Sequence, residues 1–447
     1  MSLAASAQTL SGERPTRVRW RILALLTVLS MLTYLDRLNL SIAGRSIQTE
    51  FGFTNDTMGW IFSAFLLGYA LFQIPGGWMG DRYGPRGMLT VTILSWSVLT
   101  AATALSPKLP LAVWFGVAWS FAVIRFTVGV GEASAMPNAN KIVGNWIASA
   151  RRGIGSSSNL IGIGLGGALT PPLIAWVMQR YGWRSSFYLC GAIGVVFAIA
   201  WHLLVTSRPE QHRHVNRAEL DLIRSSQSSG KQEAGPGRNR PPWSKMLSSP
   251  SVWGLILGYF CQGYPIYFFH TWFFIYLVRV RGFSLTQGGW WDATPYVAIA
   301  LFAPLGGLFS DLATSKIGKR RGRQMSVWIG MGLSAALMWA GANSPSPYVA
   351  VPLLAAGGGL NMFAAASFWA TCIDLTENYV ASLTALMNTF GNLGGWLSPI
   401  VTAYVATRFG WNVALDVTAL VTVCSGLLWF LVDASKKLDE GLAAANT

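Results

Sequence analysis

The sequence predicts an all-α membrane protein with twelve transmembrane helices in two six-helix, pseudo-symmetric bundles. Three observations lead to this fold class: 52% of the 447 residues are hydrophobic, only 11% are charged, and apolar stretches recur along the whole chain. A soluble domain carries about 25% charged residues, and a helix of about 20 apolar residues crosses a hydrocarbon core of about 30 Å. The alternation typical of a membrane β-barrel is missing from the sequence, so helices are expected to satisfy the backbone inside the bilayer.

The apolar stretches lie at residues 20–45, 57–79, 87–106, 111–137, 153–178, 185–206, 251–277, 287–310, 324–343, 348–373, 382–406 and 412–433. One long polar insert, at 207–246, separates six of these stretches from the other six. We therefore expect an N-terminal bundle with its tail at 1–206, a cytoplasmic linker at 207–246, and a C-terminal bundle with a short tail at 247–447. Within the linker, NRAELDLIRSS has apolar residues at helical spacing and predicts a short surface helix.

The basic residues are distributed unevenly. If the N-terminus faces the cytoplasm, 24 of the 33 Lys and Arg residues lie on that side, seven lie in outer loops, and only Arg37 and Arg125 lie within spans. This is the positive-inside pattern, so both termini are expected in the cytoplasm. The net charge of +15 is thereby explained by the lipid bilayer, and no nucleic acid partner is expected.

The two halves also repeat one motif. GGWMGDRYGPRG follows the second span and GGLFSDLATSKIGKRRG follows the eighth. Both contain Gly-Gly, three residues, Asp, and then a Gly followed by basic residues, which indicates an internal repeat of six spans. Duplicated bundles with a binding site between the halves are typical of alternating-access transporters.

Four charged residues stand out inside spans: Asp36 and Arg37 in the first, and Arg125 and Glu132 in the fourth. Arg125 and Glu132 are seven residues apart, so they share one helix face about 10.5 Å apart along the axis. Asp36 and Arg37 are adjacent and cannot pair well with each other, so cross-helix pairing is expected, without the spacing specifying which acid meets which base. Static ion pairs that hold the bundle together are the alternative, although buried pairs stabilise poorly.

The same four charges suggest a coupling mechanism. With both acids ionised the formal charges cancel, so an incoming carboxylate finds the arginines occupied. Arg keeps its proton, whereas a buried carboxyl can take one up and release its arginine. Binding of protons and of an organic anion would then favour one another.

The string at Gly77, Asp81, Arg82, Gly84 and Arg86 resembles the signature loop of the major facilitator superfamily. Within it, several stretches resemble the anion:cation symporter branch, which contains bacterial sugar-acid/proton symporters related to sialin and vesicular glutamate transporters. These stretches are YLDRLNLSIA, FSAFLLGYALFQIPGGW, RFTVGVGEASAMPNANKIVGNW, FFHTWFFIYL and MNTFGNLGGWLSP. The resemblance implies a multi-pass monomer of the bacterial inner membrane that carries protons on Asp36 and Glu132 and substrate on Arg37 and Arg125.

Further candidates for substrate contact are polar or aromatic. Asn388, Ser367 and Trp369 match pocket positions of related sugar-acid carriers, whereas position 162 is Gly where the resemblance implies Gln. The residues themselves suggest seven more: Tyr34, Tyr69, Asn159, Gln262, Tyr264, His270 and Asn392. Helix packing is the alternative role for each of them. Asp81, Arg82, Arg86 and Asp311 lie at the cytoplasmic ends of helices and are expected to gate the two halves.

These features predict proton-coupled import of a sugar acid: a hexonate, a hexuronate or an aldarate. An aromatic or short dicarboxylic acid is the nearest alternative, and proton-driven drug efflux fits less well with two intramembrane arginines. An enzyme or a receptor is not expected, because the sequence carries neither a nucleophile motif nor a signalling domain. Neither a metal nor a cofactor is expected, since the four cysteines are isolated in apolar runs.

Overall fold

The computed structural model describes residues 14–147, 152–228, 243–376, 380–436 and 438. These residues form α-helices and short 3-10 turns and contain no strand. The helices are α1 (Val18–Phe51), α2 (Asn55–Tyr83), α3 (Pro85–Thr103), α4 (Pro110–Phe115), α5 (Val117–Glu132), α6 (Ala135–Trp146), α7 (Arg152–Tyr181), α8 (Trp183–Leu204), α9 (Arg217–Ser228), α10 (Trp243–Ser248), α11 (Pro250–Thr271), α12 (Phe273–Arg279), α13 (Leu285–Asp292), α14 (Thr294–Ile317), α15 (Lys319–Asn343), α16 (Pro347–Leu375), α17 (Val380–Phe409) and α18 (Trp411–Leu428).

All of these helices except α9 and α10 belong to the twelve predicted spans. Helices α4 to α6 together form the fourth span, α11 with α12 the seventh, and α13 with α14 the eighth. Within the described ranges, seven helical segments are long and apolar enough to cross a membrane by length and composition alone. The others include α2 and α17, which contain Gly, Pro and amide side chains. The predicted linker helix is present as α9, but residues 229–242 lie outside the described ranges, so the exact domain division stays a prediction.

The helix contacts reproduce the sequence repeat. In the first half α1 packs on α7, α2 on α5, and α3 on α8; in the second half α11 packs on α17, α14 on α16, and α15 on α18. Each of the three pairs has its equivalent six spans later. The repeated loops also share a turn, because Gly84 and Gly318 both have positive φ, 88° and 82°, and both end one span and begin the next.

Glycines set the spacing of the helices that position the candidate site. A Cβ added at Gly129 of α5 would lie 2.1 Å from the backbone oxygen of Phe65 on α2, and one at Gly68 would lie 2.2 Å from that of Phe126. Gly306 makes the equivalent approach to Phe363 between α14 and α16. Small residues of this kind let membrane helices approach closely, which fixes α5 against α2.

The halves meet along α2 and α17, α7 with α13 and α14, and α1 with α12. We call the end of the bundle that carries Val18 and Leu431 the near end, and the end that carries Phe51 and Gly282 the far end. Hydrogen bonds join the two halves in the far part of the bundle: Ser41 Oγ to the Thr271 carbonyl (2.7 Å), Arg45 Nη1 to the Val278 carbonyl (3.0 Å), Ser63 Oγ to the Trp396 carbonyl (2.8 Å), Arg279 Nη1 to Asn55 Oδ1 (3.1 Å) and Thr286 Oγ1 to Gln179 Oε1 (2.6 Å). The far end is therefore closed in this state.

The linker helix α9 caps the first span. The residue that precedes α1 makes no side-chain cap, but the fully buried carboxylate of Glu219 accepts hydrogen bonds from the backbone N–H groups of Val18 (2.9 Å) and Arg19 (3.1 Å). Glu219 also accepts from Thr16 Oγ1 at 2.6 Å and from Arg19 Nη1 at 3.2 Å. A carboxylate at a helix N-terminus satisfies free N–H groups and complements the helix dipole, so α9 is anchored on the N-terminal half.

We predict that Glu219→Gln destabilises the protein by about 2 kcal/mol, because hydrogen bonds to a charged group are among the stronger ones in proteins. The measurement is thermal unfolding in detergent, followed by tryptophan fluorescence. Glu210→Gln is the matched control, since the exposed Glu210 pair with Arg224 should contribute about 0.5 kcal/mol or less. Equal effects of the two substitutions would contradict the capping role.

Candidate functional site

The four ionisable residues predicted from the sequence lie together in the N-terminal half. Asp36, Arg125 and Glu132 are 3%, 3% and 1% exposed, and the side chain of Arg37 is 15% exposed. Arg37 Nε lies 2.7 Å and Arg37 Nη2 2.6 Å from Glu132 Oε1. The structure thus specifies the pairing that the spacing leaves open: Glu132 of α5 holds Arg37 of α1.

Arg125 and Asp36 are less completely satisfied. Within the described residues, Arg125 Nε and Nη1 and Asp36 Oδ1 are buried without a hydrogen-bond partner. The carboxylates of Glu132 and Asp36 both attract Arg125, and the attraction by Glu132 is the stronger of the two. Trp96 and Thr100 of α3 are polar neighbours of Asp36, although neither forms a hydrogen bond with it within ordinary limits. The quartet is therefore one electrostatic group with a single tight pair and spare hydrogen-bonding capacity.

Phe65 of α2 lies between the two arginines, and sequence reasoning did not single it out. The guanidinium carbons of Arg37 and Arg125 lie 5.3 Å and 4.8 Å from its ring centroid. Arg37 also lies 4.7 Å from the ring of Tyr69 and 5.8 Å from that of Tyr34. Cation–π contacts of this kind orient a guanidinium without consuming its N–H donors. The signal in the sequence was the spacing of Phe65 and Tyr69, one helical turn apart.

An aromatic cluster connects the quartet to the C-terminal half. The ring of Tyr34 lies 5.5 Å from His270 and 6.4 Å from Tyr296, and His270 lies 5.3 Å from Tyr267 and 5.7 Å from Tyr296. His270 Nδ1 donates to the Ile266 carbonyl at 2.7 Å, so Nε2 is the nitrogen that would accept a hydrogen bond when the ring is neutral. The cluster places Tyr34 beside Arg37 and His270 against Tyr34, and it adds Tyr296, which sequence reasoning missed.

Three candidates in the C-terminal half have partners within that half. Gln262 Nε2 donates to Asn361 Oδ1 at 2.7 Å, and the Tyr264 hydroxyl lies 3.3 Å from Thr402 Oγ1. The Tyr267 hydroxyl donates to Asn392 Oδ1 at 3.5 Å. These contacts place Asn392 at the edge of the aromatic cluster. Gln262 and Tyr264 join helices within the C-terminal half, and their part in substrate binding stays a prediction.

Within the described part of the chain, no hydrogen bond, ion pair or ring contact joins Ser367, Trp369 or Asn388 to the quartet, and their contact with substrate stays a prediction. Ser367 Oγ is 2.8 Å from Ser310 Oγ, toward the near end. Trp369 is 44% exposed and packs edge-on against Tyr259 at 6.1 Å. Asn388 is half-buried on α17.

Asn159 and Gly162 lie where α7 packs on α1. Asn159 Oδ1 accepts from Ser30 Oγ at 3.2 Å, and its Nδ2 donates to Asn140 Oδ1 at 3.2 Å. A Cβ at Gly162 would lie 2.3 Å from the Thr27 carbonyl oxygen. The glycine therefore permits an approach of α7 to α1 that any side chain at this position would prevent.

Of the candidate gating residues, Arg82, Arg86 and Asp311 contact groups within their own halves in this state. Arg86 Nη2 donates to the His202 carbonyl at 2.5 Å, and Arg323 Nη1 lies 2.8 Å from Asp311 Oδ1. Arg82 is exposed, with its guanidinium 5.6 Å from the ring of Trp78. The side chain of Asp81 lies outside what the structure describes, and a gating role for these residues stays a prediction.

Comparison with known proteins extends these observations. Residues 26–399 match the family model described as Major Facilitator Superfamily. The chain is 30% identical over 399 residues to a probable sulfoacetate transporter of Cupriavidus necator, covering 88% of this chain and 89% of the relative. It is 30% identical over 451 residues to a probable galactarate/D-glucarate transporter of Escherichia coli, covering 96% of both.

Among solved structures, a bacterial homologue of the human lysosomal transporter Spinster, in an inward-facing and unoccupied conformation, is similar in fold. It aligns with a TM-score of 0.76 and 17% identity, over 94% of this chain and 97% of that one. At this identity the likeness concerns the fold alone.

We predict that Arg37→Met and Glu132→Gln each destabilise the protein more than the double variant does. Removing one partner of a buried ion pair costs about 3–5 kcal/mol because the other charge is left uncompensated, whereas removing both costs much less. Thermal unfolding of the four forms in detergent measures this coupling. The exposed pair of Arg184 and Glu50, each 38% exposed, is the control and should give a coupling of about 0–1 kcal/mol. Additive effects of Arg37→Met and Glu132→Gln would contradict the pairing.

Proposed function

Because the chain belongs to the Major Facilitator Superfamily, we propose that it is a proton-coupled symporter that imports an organic anion by alternating access. It is a transporter rather than an enzyme, as its relatives are. The single observation that carries the proposal is the contact between Glu132 and Arg37 inside a buried quartet whose formal charges cancel.

Coupling follows from competition for the arginine. Arg37 cannot hold both Glu132 and an incoming carboxylate through the same N–H groups. A proton on Glu132 removes its charge and frees Nε and Nη2 of Arg37 for the anion. A proton on Asp36 likewise leaves the charge of Arg125 available. Protons and the anion therefore bind cooperatively, and by linkage each raises the affinity for the other.

The arginines suit a carboxylate. A guanidinium presents a planar fork of donors that matches the two carboxylate oxygens. Arg125 Nε and Nη1 have no hydrogen-bond partner among the described residues, so both are available to a carboxylate. The Phe65 ring lies near both guanidinium groups. Two oriented forks at one site favour an organic anion over a cation or an apolar drug.

The cargo we propose is a sugar acid: a hexonate, a hexuronate or an aldarate. Its hydroxyl groups can hydrogen-bond to Tyr34, Tyr69, Tyr267 and His270, which lie around Arg37 or join it to the C-terminal half. The relatives named for galactarate/D-glucarate and for sulfoacetate support an organic anion. An aromatic acid is the second candidate, because the rings of Phe65, Tyr69 and Tyr34 could stack on it.

Orientation follows from charge. The basic residues concentrate in the segments of the near end, which supports a cytoplasmic near end with both termini inside a bacterial inner membrane. The closed far end then faces the outside, and the state described is inward-facing. Asp81, Arg82, Arg86 and Asp311 lie at the cytoplasmic end on this assignment, where gating contacts would form in the opposite state. The protein works as a monomer.

We predict that Asp36→Asn and Glu132→Gln each abolish accumulation of the anion in proteoliposomes with an acidic exterior. The reason is that a neutral amide cannot carry the proton that powers uphill movement. Exchange of labelled for unlabelled anion at equal pH should survive, because it requires no net proton movement. Asp416→Asn, at the far end and away from the quartet, is the control and should transport normally. Uphill accumulation by both quartet variants would refute proton coupling through this site.

A panel of ligands tests the cargo class. We predict that galactarate, D-gluconate or D-galacturonate raises the thermal midpoint more than benzoate does, and more at about pH 5.5 than at about pH 7.5, because protonation and anion binding are linked. In Phe65→Leu, about ten times more ligand should be needed for the same thermal shift, since cation–π contacts are worth about 0.5–2 kcal/mol. Phe62→Leu, which packs on Trp272 instead, is the matched control. A larger shift with benzoate would favour the aromatic acid.

A further inference from the structure

One ionisable residue within a span plays no part in the mechanism above. Asp292 is the last residue of α13, beside the break before α14. Pro295 has no N–H to bond the Trp291 carbonyl, which instead accepts from Thr294 Oγ1 at 2.7 Å. Asp292 is 1% exposed, and among the described residues its Oδ1 has no hydrogen-bond partner.

Among the residues that the structure describes, the surroundings of Asp292 contain ionisable groups but no cation in contact with it. On α14, Tyr296 interacts electrostatically with Asp292, and its buried hydroxyl also has no partner within the described residues. Beyond Tyr296 lie Tyr34 of α1 and His270 of α11. Arg37 is farther away, beyond the ring of Tyr34.

The helices packed on α13 present apolar groups at this level. From α7, Pro171 and Ala175 contact the α13 residue Gly289, and Gly167 contacts Tyr296. From α12, Val278 and Phe274 lie against Gly288. None of these neighbours can compensate a negative charge on Asp292.

The location of Asp292 matters because the contact of α7 with α13 and α14 joins the two halves at the far end. A Cβ at Gly289 would lie 2.8 Å from the Pro171 carbonyl oxygen, and one at Gly167 would lie 2.3 Å from the Tyr296 ring. The N-terminal and C-terminal halves are thus in close contact on both sides of Asp292. Separation of α7 from α13 and α14 would bring water to the carboxyl, and closure removes that water again.

We propose that Asp292 is a proton-binding site that controls closure of the far end: the carboxyl is ionised when the halves are apart and takes up a proton when they close. A carboxylate buried without a cation or hydrogen bonds is strongly disfavoured, so the charged form opposes the closed state. The inference rests on the alternating access of the proposed function. It does not depend on how Asp36 and Glu132 couple protons to the anion.

The sign of the pH effect follows from linkage. Closure binds a proton at Asp292, so acid favours the closed far end and alkali favours the open one. One such site changes the ratio of closed to open molecules by up to about tenfold per pH unit over the range in which the carboxyl is ionised in the open state and protonated in the closed state.

The test is the distance between spin labels across the far end, measured by double electron–electron resonance without cargo from about pH 5 to about pH 9. Labels at the exposed positions Thr49 on α1 and Thr407 on α17 report on the two halves, in a background without the native cysteines. In the parent protein the closed population should fall as pH rises. Asp292→Asn should keep the far end closed at high pH. In this variant the closed-to-open ratio should depend on pH less steeply, by up to a factor of about ten per pH unit.

Two further variants sharpen the test. Asp292→Glu retains a titratable carboxyl and should retain the pH dependence, which a merely structural role of Asp292 would not predict. Asp416→Asn at the far end, where Asp416 accepts from Asn343 Nδ2 at 3.2 Å, should behave as the parent. If Asp292→Asn keeps the full pH dependence of the parent, the inference is wrong, even if Glu132→Gln still abolishes uphill uptake. If Asp36→Asn and Glu132→Gln both still concentrate the anion, the coupling through the quartet fails, and the closure site is judged on the label distances alone.

Discussion

The hydrocarbon of a bilayer cannot solvate an isolated charge, and this constraint governs the whole arrangement around Arg37 and Glu132. A charge within a span must find a partner, take up or release a proton, or reach water. In this protein Arg37 is paired with Glu132. Separating the two would leave each charge unpaired unless another group replaces its partner. A proton for the acid and a carboxylate for the base are the two replacements that preserve neutrality. The symport proposed above is the consequence of that exchange.

The helical scaffold makes the exchange geometrically possible. Gly68 and Gly129 bring α2 and α5 into backbone contact, which places Phe65 against both guanidinium groups. The aromatic cluster around His270 then ties this N-terminal site to the C-terminal half. Since the two halves repeat the same three helix pairs, each can move as a unit while the quartet stays intact within one of them. The four charges of the quartet are thus confined to the N-terminal half, and the interface between the halves supplies aromatic and hydroxyl groups.

Much of this could be predicted from the sequence, because the signals are strong in physical terms. Span lengths, the basic loops and the repeated glycine-containing turns at Gly84 and Gly318 follow from periodicity and composition. The quartet follows from the cost of intramembrane charge. Pairing of Glu132 with Arg37 could not be predicted, since it depends on the rotation of α5 relative to α1. The resemblance places Ser367 in the pocket; its hydroxyl contacts Ser310 toward the near end, and its contact with substrate stays a prediction. Asp292 was overlooked although the same reasoning about charge within a span applies to it.

The most direct test of the central claim is the number of protons taken up when the anion binds. Isothermal titration of the purified protein with its cargo, in buffers of different ionisation enthalpy at one pH, gives this number without any transport step. If protons and the anion bind together, uptake of about one proton or more per anion is expected near neutral pH, and most of it should be lost in Glu132→Gln. Binding of the anion with no proton uptake, or with the same uptake in Glu132→Gln, would contradict it.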